Sequence, residues 1–402
     1  MHERWTNPLR SIRRAAQTKR AVIIAGHLGV TRRVNMAETE ITETTRIPAV
    51  GYGTNGTTPG NRLTRTQFER DAPKGNEVLI DVLFCGVCHS DVHLLADEWK
   101  LTLYPCVPGH EIVGRVKAIA AGVTKFNVGD VVGVGCMIDS CRSCEPCIEG
   151  EANHCSGPHG PTLTYNGYLY PNGSTHNTFG GYASNIVVRE EFVLRIPEGM
   201  DLAAAAPLLC PGVAVYGPLK RFNFKPGAKI GIAGIGGPGH IAIMIAKAMG
   251  AEVTAITTHE SKREAALKLG ATNVIVSTNP EDMKEYARSL DHILATIPNA
   301  YDVAPYLGLL KRKATMTAMA LLGPYSEPLN NLSLAAQGLS LAGSMIGSLP
   351  DSQEVLDFCA EHGILPQVEV IKIQDVNEAI ERLKKADVRF RFVIDLSSLQ
   401  DR

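Results

Sequence analysis

The 402-residue sequence lacks several things, and each absence narrows what the chain can be. No run of eighteen or more apolar residues occurs, so no membrane-spanning helix is expected; the stretch Ala21–Val30 is too short for one. No charge of either sign dominates, the formal net charge being −1. There is no internal repeat and no low-complexity linker, which argues against a solenoid or a string of tethered modules. The order of a secretory signal is also missing, so a reducing, cytoplasmic compartment is expected.

What is present suits an ordinary globular protein with two sizeable cores: 45% hydrophobic and 20% charged residues over 402 positions. The charge is unevenly placed. Residues 1–35 carry eight Lys/Arg and one acid, Glu3, leaving 32 basic and 40 acidic residues in the remainder. The body is mildly acidic, so neither a nucleic-acid nor a membrane partner is expected. The Arg-rich start reads as a transit peptide or basic arm, or as a start placed too early, with Met36 as the first residue. Acid-rich sequence (Glu38, Glu40, Glu43) begins right after Met36 and favours the last of these. Residues 1–49 are taken together as an N-terminal arm, untranslated or disordered.

Four of the ten cysteines fall within fifteen residues, at Cys141, Cys144, Cys147 and Cys155. The spacing is C-x2-C-x2-C-x7-C. In a reducing compartment it points to a metal rather than a disulfide framework. Short gaps let successive thiolates curl around one ion, and four thiolates make a closed tetrahedral zinc site with no position left for chemistry. Pro146 and Gly150 supply turns. So few apolar residues lie here that metal binding is expected to supply most of the local order. The rivals are free or disulfide-bonded cysteines and an iron–sulfur cluster, the latter disfavoured by the x7 gap and the missing Cys-Pro ending. A nucleic-acid-binding zinc ribbon is disfavoured by Glu145, Glu149 and Glu151.

A second constellation is dispersed. "CGVCHSDVH" (Cys85–His93) precedes "YPCVPGHEIVG" (Tyr104–Gly114), and "APLLCPGVAVYGPL" follows much later with Cys210. Cys88, His110 and Cys210 form a Cys2His set, the combination described for the catalytic zinc of alcohol dehydrogenase. Cys85, Cys106 and Cys136 read as small buried apolar residues. His154, His159 and His176 read as loop residues.

In "AKIGIAGIGGPGHIAIMIAKAMGAEVTAITT" (Ala228–Thr258) a strand over Lys229–Ile235 runs into a glycine turn and a helix that ends at Gly250. A second strand, Val253–Thr257, closes a βαβ unit. Gly234, Gly236 and Gly239 give G-x-G-x-x-G, which permits a tight turn, close approach of backbone to a pyrophosphate and packing of helix on strand. The helix N-terminus offers N–H groups to the anion. Thr257, Thr258 and His259 end the second strand, with Lys262 and Arg263 following. Neutral hydroxyls and nearby cations suit a 2′-phosphate, so NADP(H) is expected over NAD, although Glu260 lies close.

With "GHEIVGRV", "NVGDVVGVG", "SCRSCEPC", "GIGGPGH", "GSMIGS" and "VRFRFVIDL" in this order, the sequence resembles the zinc-dependent medium-chain alcohol dehydrogenases, most of all the cinnamyl-alcohol-dehydrogenase-like aldehyde reductases, from about Val50 to Leu396. The resemblance implies an α/β and β-rich two-domain fold: a GroES-like catalytic zinc domain (residues 50–210 and 345–402) and an inserted Rossmann doubly wound domain (211–344). "EVLDFCAEHGI" (Glu354–Ile364) is the helix that carries the chain back. The resemblance further implies two Zn2+ per subunit, NADP(H), a small-molecule aldehyde or alcohol substrate and a homodimer.

Residue by residue, it makes Cys88, His110 and Cys210 the catalytic zinc ligands, with Glu111 as an alternate ligand. Asp91 becomes an outer group that accepts the free N–H of His110. Ser90 relays a proton through a cofactor ribose hydroxyl toward His93, which exchanges it with solvent. The duller alternatives are Ser90 as a helix cap, His93 as a surface histidine and Trp99 as core filler rather than pocket lining. Gly237 and Ser344, within quoted motifs, join Gly234, Gly236, Gly239, Thr257 and Lys262 as cofactor-binding positions. Ala214 stands where family members often carry Thr, so one hydroxyl contact to the cofactor is missing. Pro238 replaces the commoner Leu, which a first helical turn tolerates. The implied reaction interconverts primary alcohols and aldehydes. The alternatives are a zinc-dependent polyol or formaldehyde dehydrogenase, or a non-catalytic NADP(H) sensor.

Overall fold

The computed structural model describes residues 45–56, 61–320, 323–385 and 390–400. The expectations about residues 1–44, including a start at Met36, lie outside the described residues. Residues 46–49, assigned to the arm, belong instead to strand β1 (Arg46–Gly53), which pairs antiparallel with β2 (Thr64–Asp71). Its alternating burial places Ile47 and Ala49 on one face, a period that a charge count does not register.

The chain then builds a seven-stranded sheet. β3 (Glu77–Gly86) is its spine, an apolar run with few exposed positions, as expected of a strand covered on both faces. It pairs antiparallel with β4 (Ile112–Ile119), which continues through β5 (Val131–Val134). β6 (Met137–Asp139) and β7 (Thr162–Leu163) form a small separate pair that brackets the cysteine lobe. β8 (Asn185–Arg189) pairs with the first half of β3, and β9 (Val193–Arg195) closes the far edge on β5.

Six strands follow in a second sheet: β10 (Lys229–Ala233), β11 (Glu252–Thr257), β12 (Asn273–Val276), β13 (Leu290–Ala295), β14 (Leu310–Ala318) and β15 (Ser340–Gly343). All pairings are parallel, in the order β12-β11-β10-β13-β14-β15. The order reverses between β10 and β13, so this is a doubly wound sheet whose ligand crevice belongs at the carboxyl ends of those strands. The expected strand–turn–helix is there, with a helix at Gly237–Ala248 and Gly250 in the left-handed region at φ +89° just beyond its end. Pro238 sits in the first turn of that helix.

The chain returns through the helix Leu349–Glu361, longer at its start than Glu354 suggested, because Ser348 caps it by accepting from the Asp351 N–H (3.0 Å). That helix lies on the helix Pro211–Phe222, where Tyr216 Oη donates to Glu354 (2.7 Å). β16 (Val368–Lys372) and β17 (Arg391–Asp395) then complete the first sheet, β17 pairing with the last residues of β3. The two parts of the first sheet are therefore joined across the insertion, and Leu208, Leu209 and Val213, which flank Cys210, belong to a core shared with the parallel sheet.

Candidate active site

Cys88 lies two residues beyond β3 and caps the helix His89–Leu95. His110 and Glu111 immediately precede β4, and Cys210 precedes the helix Pro211–Phe222. Strand pairing of β3 with β4 brings the first three together. The Gly86 N–H donates to the Glu111 carbonyl (2.9 Å), and a Cβ at Gly86 would overlap the Glu111 carboxylate. Ligand atoms of Cys88, His110, Glu111 and Cys210 all lie within 4.8 Å of one another. The sulfurs of Cys88 and Cys210 are 3.9 Å apart, and His110 Nε2 is 3.2 Å from Cys210 Sγ. One Glu111 oxygen is buried without a partner, and the other is held by the buried guanidinium of Arg391. Burial pushes the Glu111 carboxyl up to about 8 despite that guanidinium. Two sulfurs, one imidazole nitrogen and an orphaned carboxylate oxygen around one point are a donor set that fits zinc.

The cysteine lobe is a second such set, with the sulfurs of Cys141, Cys144, Cys147 and Cys155 all within 4.8 Å. The Cys141–Cys147 and Cys144–Cys155 separations are both 3.9 Å, and every cysteine is free. A tetrahedral ion with metal–sulfur bonds of about 2.3 Å needs edges of about 3.8 Å, so a disulfide is excluded and zinc fits. Backbone N–H groups already point at the sulfurs, from Cys141 to Cys155, Cys144 to Cys141 and Ser156 to Cys144. The Cys147 N–H and Ser156 hold the Cys144 thiol down to about 5. Gly150 takes φ +87° as its turn requires, and Arg142 also turns left-handed.

A cavity of about 1070 Å³ runs from the dispersed set to the end of the parallel sheet. Cys88, His110 and Cys210 line one end. Gly234, Gly236, Gly237, Thr257 and Lys262 line the other. A Cβ on Gly239 would strike the Gly234 carbonyl at 1.9 Å, whereas one on Gly236 would meet nothing within 4 Å, leaving that space open for a ligand. These contrasts fit a dinucleotide at the turn. Thr258, His259, Ser261 and Lys262 line the wall beyond β11. Glu260 is turned onto Arg263 (2.6 and 3.0 Å) and away from Lys262, whose ammonium donates to the Ile235 carbonyl (3.1 Å). Ala214 lines the cavity with a bare methyl. Ser344 does not line it. Its N–H extends the β14–β15 ladder to the Ala318 carbonyl, and Met345 and Ile346 take the lining positions.

Ser90 and His93 lie one helical turn apart and both line the cavity. Ser90 is the second residue of its helix, not the cap, because the chain turns helical two residues earlier than expected. His93 is no plain surface residue, since its Nδ1 pairs with Glu98 at 2.6 Å and its ring lies 5.2 Å from that of Trp99. Trp99 lines the cavity and also packs on Leu94, Cys106 and Tyr165. Asp91 is fully buried behind the ligands. Its Oδ1 is 3.3 Å from His110 Nδ1 but off the line of a good hydrogen bond, and the carboxylate accepts instead from the Cys88 N–H, Tyr165 and Tyr182. Cys85 and Cys106 are buried as expected, and burial pushes Cys106 up to about 12. Cys136 is not plain filler: it lines the cavity and touches Cys210, which draws its thiol down. Glu98, Tyr165, Tyr182 and Arg391 were missed. Only Arg391 left a signal, a cation leading into the apolar run Phe392–Ile394 of its strand.

Two family models match the chain, the alcohol dehydrogenase GroES-like domain over residues 74–198 and the zinc-binding dehydrogenase over residues 237–361. The aldehyde reductase YahK of Escherichia coli is 48% identical over 341 residues, 84% of this chain and 96% of that protein. The chain belongs to the zinc-binding alcohol dehydrogenase family. Among its other relatives, the NADP-dependent alcohol dehydrogenase C 1 of Mycolicibacterium smegmatis is 45% identical over 84% of this chain and 95% of its own length. A cinnamyl alcohol dehydrogenase structure from Sorghum bicolor superposes with a TM-score of 0.81 at 42% identity, covering 87% of this chain and 98% of the other. A Helicobacter pylori homologue of that class, complexed with NADP(H), gives 0.80 at 36% identity over 88% and 99%.

Proposed function

We propose that this dehydrogenase interconverts primary alcohols and aldehydes with NADP(H), using Cys88, His110 and Cys210 as catalytic metal ligands and Glu111 as the alternate one. The observation that carries this reading is one cavity with the dispersed donor set at one end and the glycine turn at the other. When bound, zinc supplies Lewis acidity toward a carbonyl or hydroxyl oxygen and NADP(H) supplies the hydride. The remaining work falls to the chain. Gly234, Gly236 and Gly237 give the dinucleotide its close seat, and Lys262 with Ser261 and Thr258 receives the 2′-phosphate. Leu94, Trp99, Leu163, Leu169, Met345 and Ile346 make the apolar wall that favours aromatic or medium aliphatic aldehydes. Ser90 holds the proton nearest the ligands, 3.7 Å from Cys88 Sγ, and His93 passes it outward with Glu98 holding its ring. We assign residues 50–210 and 345–402 to the catalytic domain and 211–344 to the cofactor domain. We place the enzyme in the cytoplasm as a homodimer.

A panel of aldehydes and polyols assayed with both cofactors tests the proposal, with NADPH-dependent reduction of aldehydes expected to be the best reaction. Faster turnover with NADH, or no turnover with any substrate despite tight NADPH binding, would sink it. Lys262→Ala should raise KM for NADPH roughly 10- to 100-fold, the worth of one charged hydrogen bond, and leave NADH nearly unaffected.

A further inference from the structure

Asp91 is held more elaborately than an outer group behind one imidazole requires. Its Oδ2 accepts from the Cys88 N–H (2.8 Å) and from Tyr182 Oη (2.9 Å), and its Oδ1 accepts from Tyr165 Oη (2.7 Å). Asp91 and Tyr182 are fully buried, and Tyr165 and His110 nearly so. The ring of Tyr165 lies 5.7 Å from that of His110 and also lines the substrate cavity. A carboxylate can turn about its last bond unless donors fix both oxygens. Here the backbone of one metal ligand and two phenols fix it, leaving Oδ1 3.3 Å from His110 Nδ1.

We infer that Tyr165 and Tyr182 are positioning residues that act through Asp91 to orient His110 toward the metal. The inference rests on the reading of His110 as a ligand. The phenols set the position of the carboxylate, whose charge, 3.3 Å from Nδ1 without a hydrogen bond to it, favours the proton on Nδ1 and leaves Nε2 free to ligate. Tyr182 comes from the segment before β8 and Tyr165 from the loop after β7, so neither belongs to the three motifs that carry the ligands. Both hydroxyls are spent inward on Asp91, which separates their role from a direct contact with substrate.

The test uses the full-length enzyme with cobalt(II) in place of zinc and compares wild type with Tyr165→Phe, Tyr182→Phe and His110→Asn. Phenylalanine keeps the ring and removes only the hydroxyl. Each Tyr→Phe variant is expected to release one of its two metals to a chelator about tenfold faster and to shift the cobalt ligand-field bands, while the four-cysteine site releases at the wild-type rate. Unchanged release and spectrum in both Tyr→Phe variants, with or without a fall in Tm, would reduce the phenols to packing and overturn the inference. His110→Asn serves to separate the two levels. If it loses the metal while the Tyr→Phe variants behave as wild type, the ligand assignment stands and the inference fails. If it holds cobalt with the wild-type spectrum, the ligand assignment itself is wrong.

Discussion

The two metal-binding clusters of this dehydrogenase differ in how the chain makes them. The lobe gathers four sulfurs within fifteen residues, and its one α-helix, Glu145–Ile148, has no buried residue, with Ile148 75% exposed, while the short turn after it, Ala152–His154, buries Ala152 and Asn153. The dispersed set draws Cys88, His110, Glu111 and Cys210 from the ends of two strands and the start of a helix, next to the core residues Val87, Ile112, Leu209 and Val213. We propose that in the lobe the ion makes the structure, whereas at the active site the structure makes the place for the ion. The first design leaves no coordination position open. The second ends at a cavity wall, with a carboxylate oxygen in reserve.

The largest test breaks the dispersed cluster alone. Cys88→Ser should lower kcat/KM more than about a hundredfold, beyond the 10- to 100-fold typical of an outer-shell partner, because a ligand itself is weakened. Metal content should drop from two ions per chain toward one, while NADPH affinity and Tm stay close to wild type because the cores do not depend on this ion. Elemental analysis beside steady-state kinetics reads both, and a Tm collapse would erase the proposed contrast.

The complementary change is Cys144→Ser. Metal content should again drop by one, but here Tm should fall by several degrees and kcat/KM per folded molecule should change less than about threefold at low temperature. The reason is that metal binding supplies folding free energy to a segment without a core of its own. Limited proteolysis should cut within residues 141–155 before it cuts elsewhere. A variant that kept its Tm and its protease resistance would show that the lobe folds without metal.

The same contrast explains what could be read in advance. Cys141, Cys144, Cys147 and Cys155 announce their site because their spacing is the site's geometry. Gly234, Gly236 and Gly239 announce theirs because each glycine answers a local need at the end of β10. Cys88, His110 and Cys210 could be paired only by resemblance, since strand pairing of β3 with β4 brings the first two together and the wider fold, not spacing, brings Cys210 from the start of a distant helix. Glu98, Tyr165 and Tyr182 carried no signal, because each reaches its partner from a loop whose course is set by the whole fold. Ser344 lies beside the lining residues Met345 and Ile346 with its N–H in the ladder, and sequence proximity does not say which residue of such a segment faces the cavity.

Acid blurs the comparison, and one residue allows it to be sharpened. Both clusters release metal as their thiolates protonate, so falling pH attacks the lobe and the active site together. His292 on β13 is 1% exposed, neither ring nitrogen has a partner among the described residues, and its ring lies 4.0 Å from that of Phe222. Burial brings it down from 6.5 to about 4. The folded-state value is the lower one, so its contribution is fully present above 6.5. Below that the unfolded chain takes up a proton that the folded chain refuses, and stability falls as the pH drops from 6.5 toward 4. The loss should be on the order of 1–2 kcal/mol at pH 5. His292→Leu should flatten that part of the stability-against-pH curve in denaturant titrations without changing metal release from either cluster. An acid limb as steep in the variant as in wild type would mean that the metal sites alone set the acid sensitivity, and the contrast between them would have to be measured from metal release rather than from unfolding.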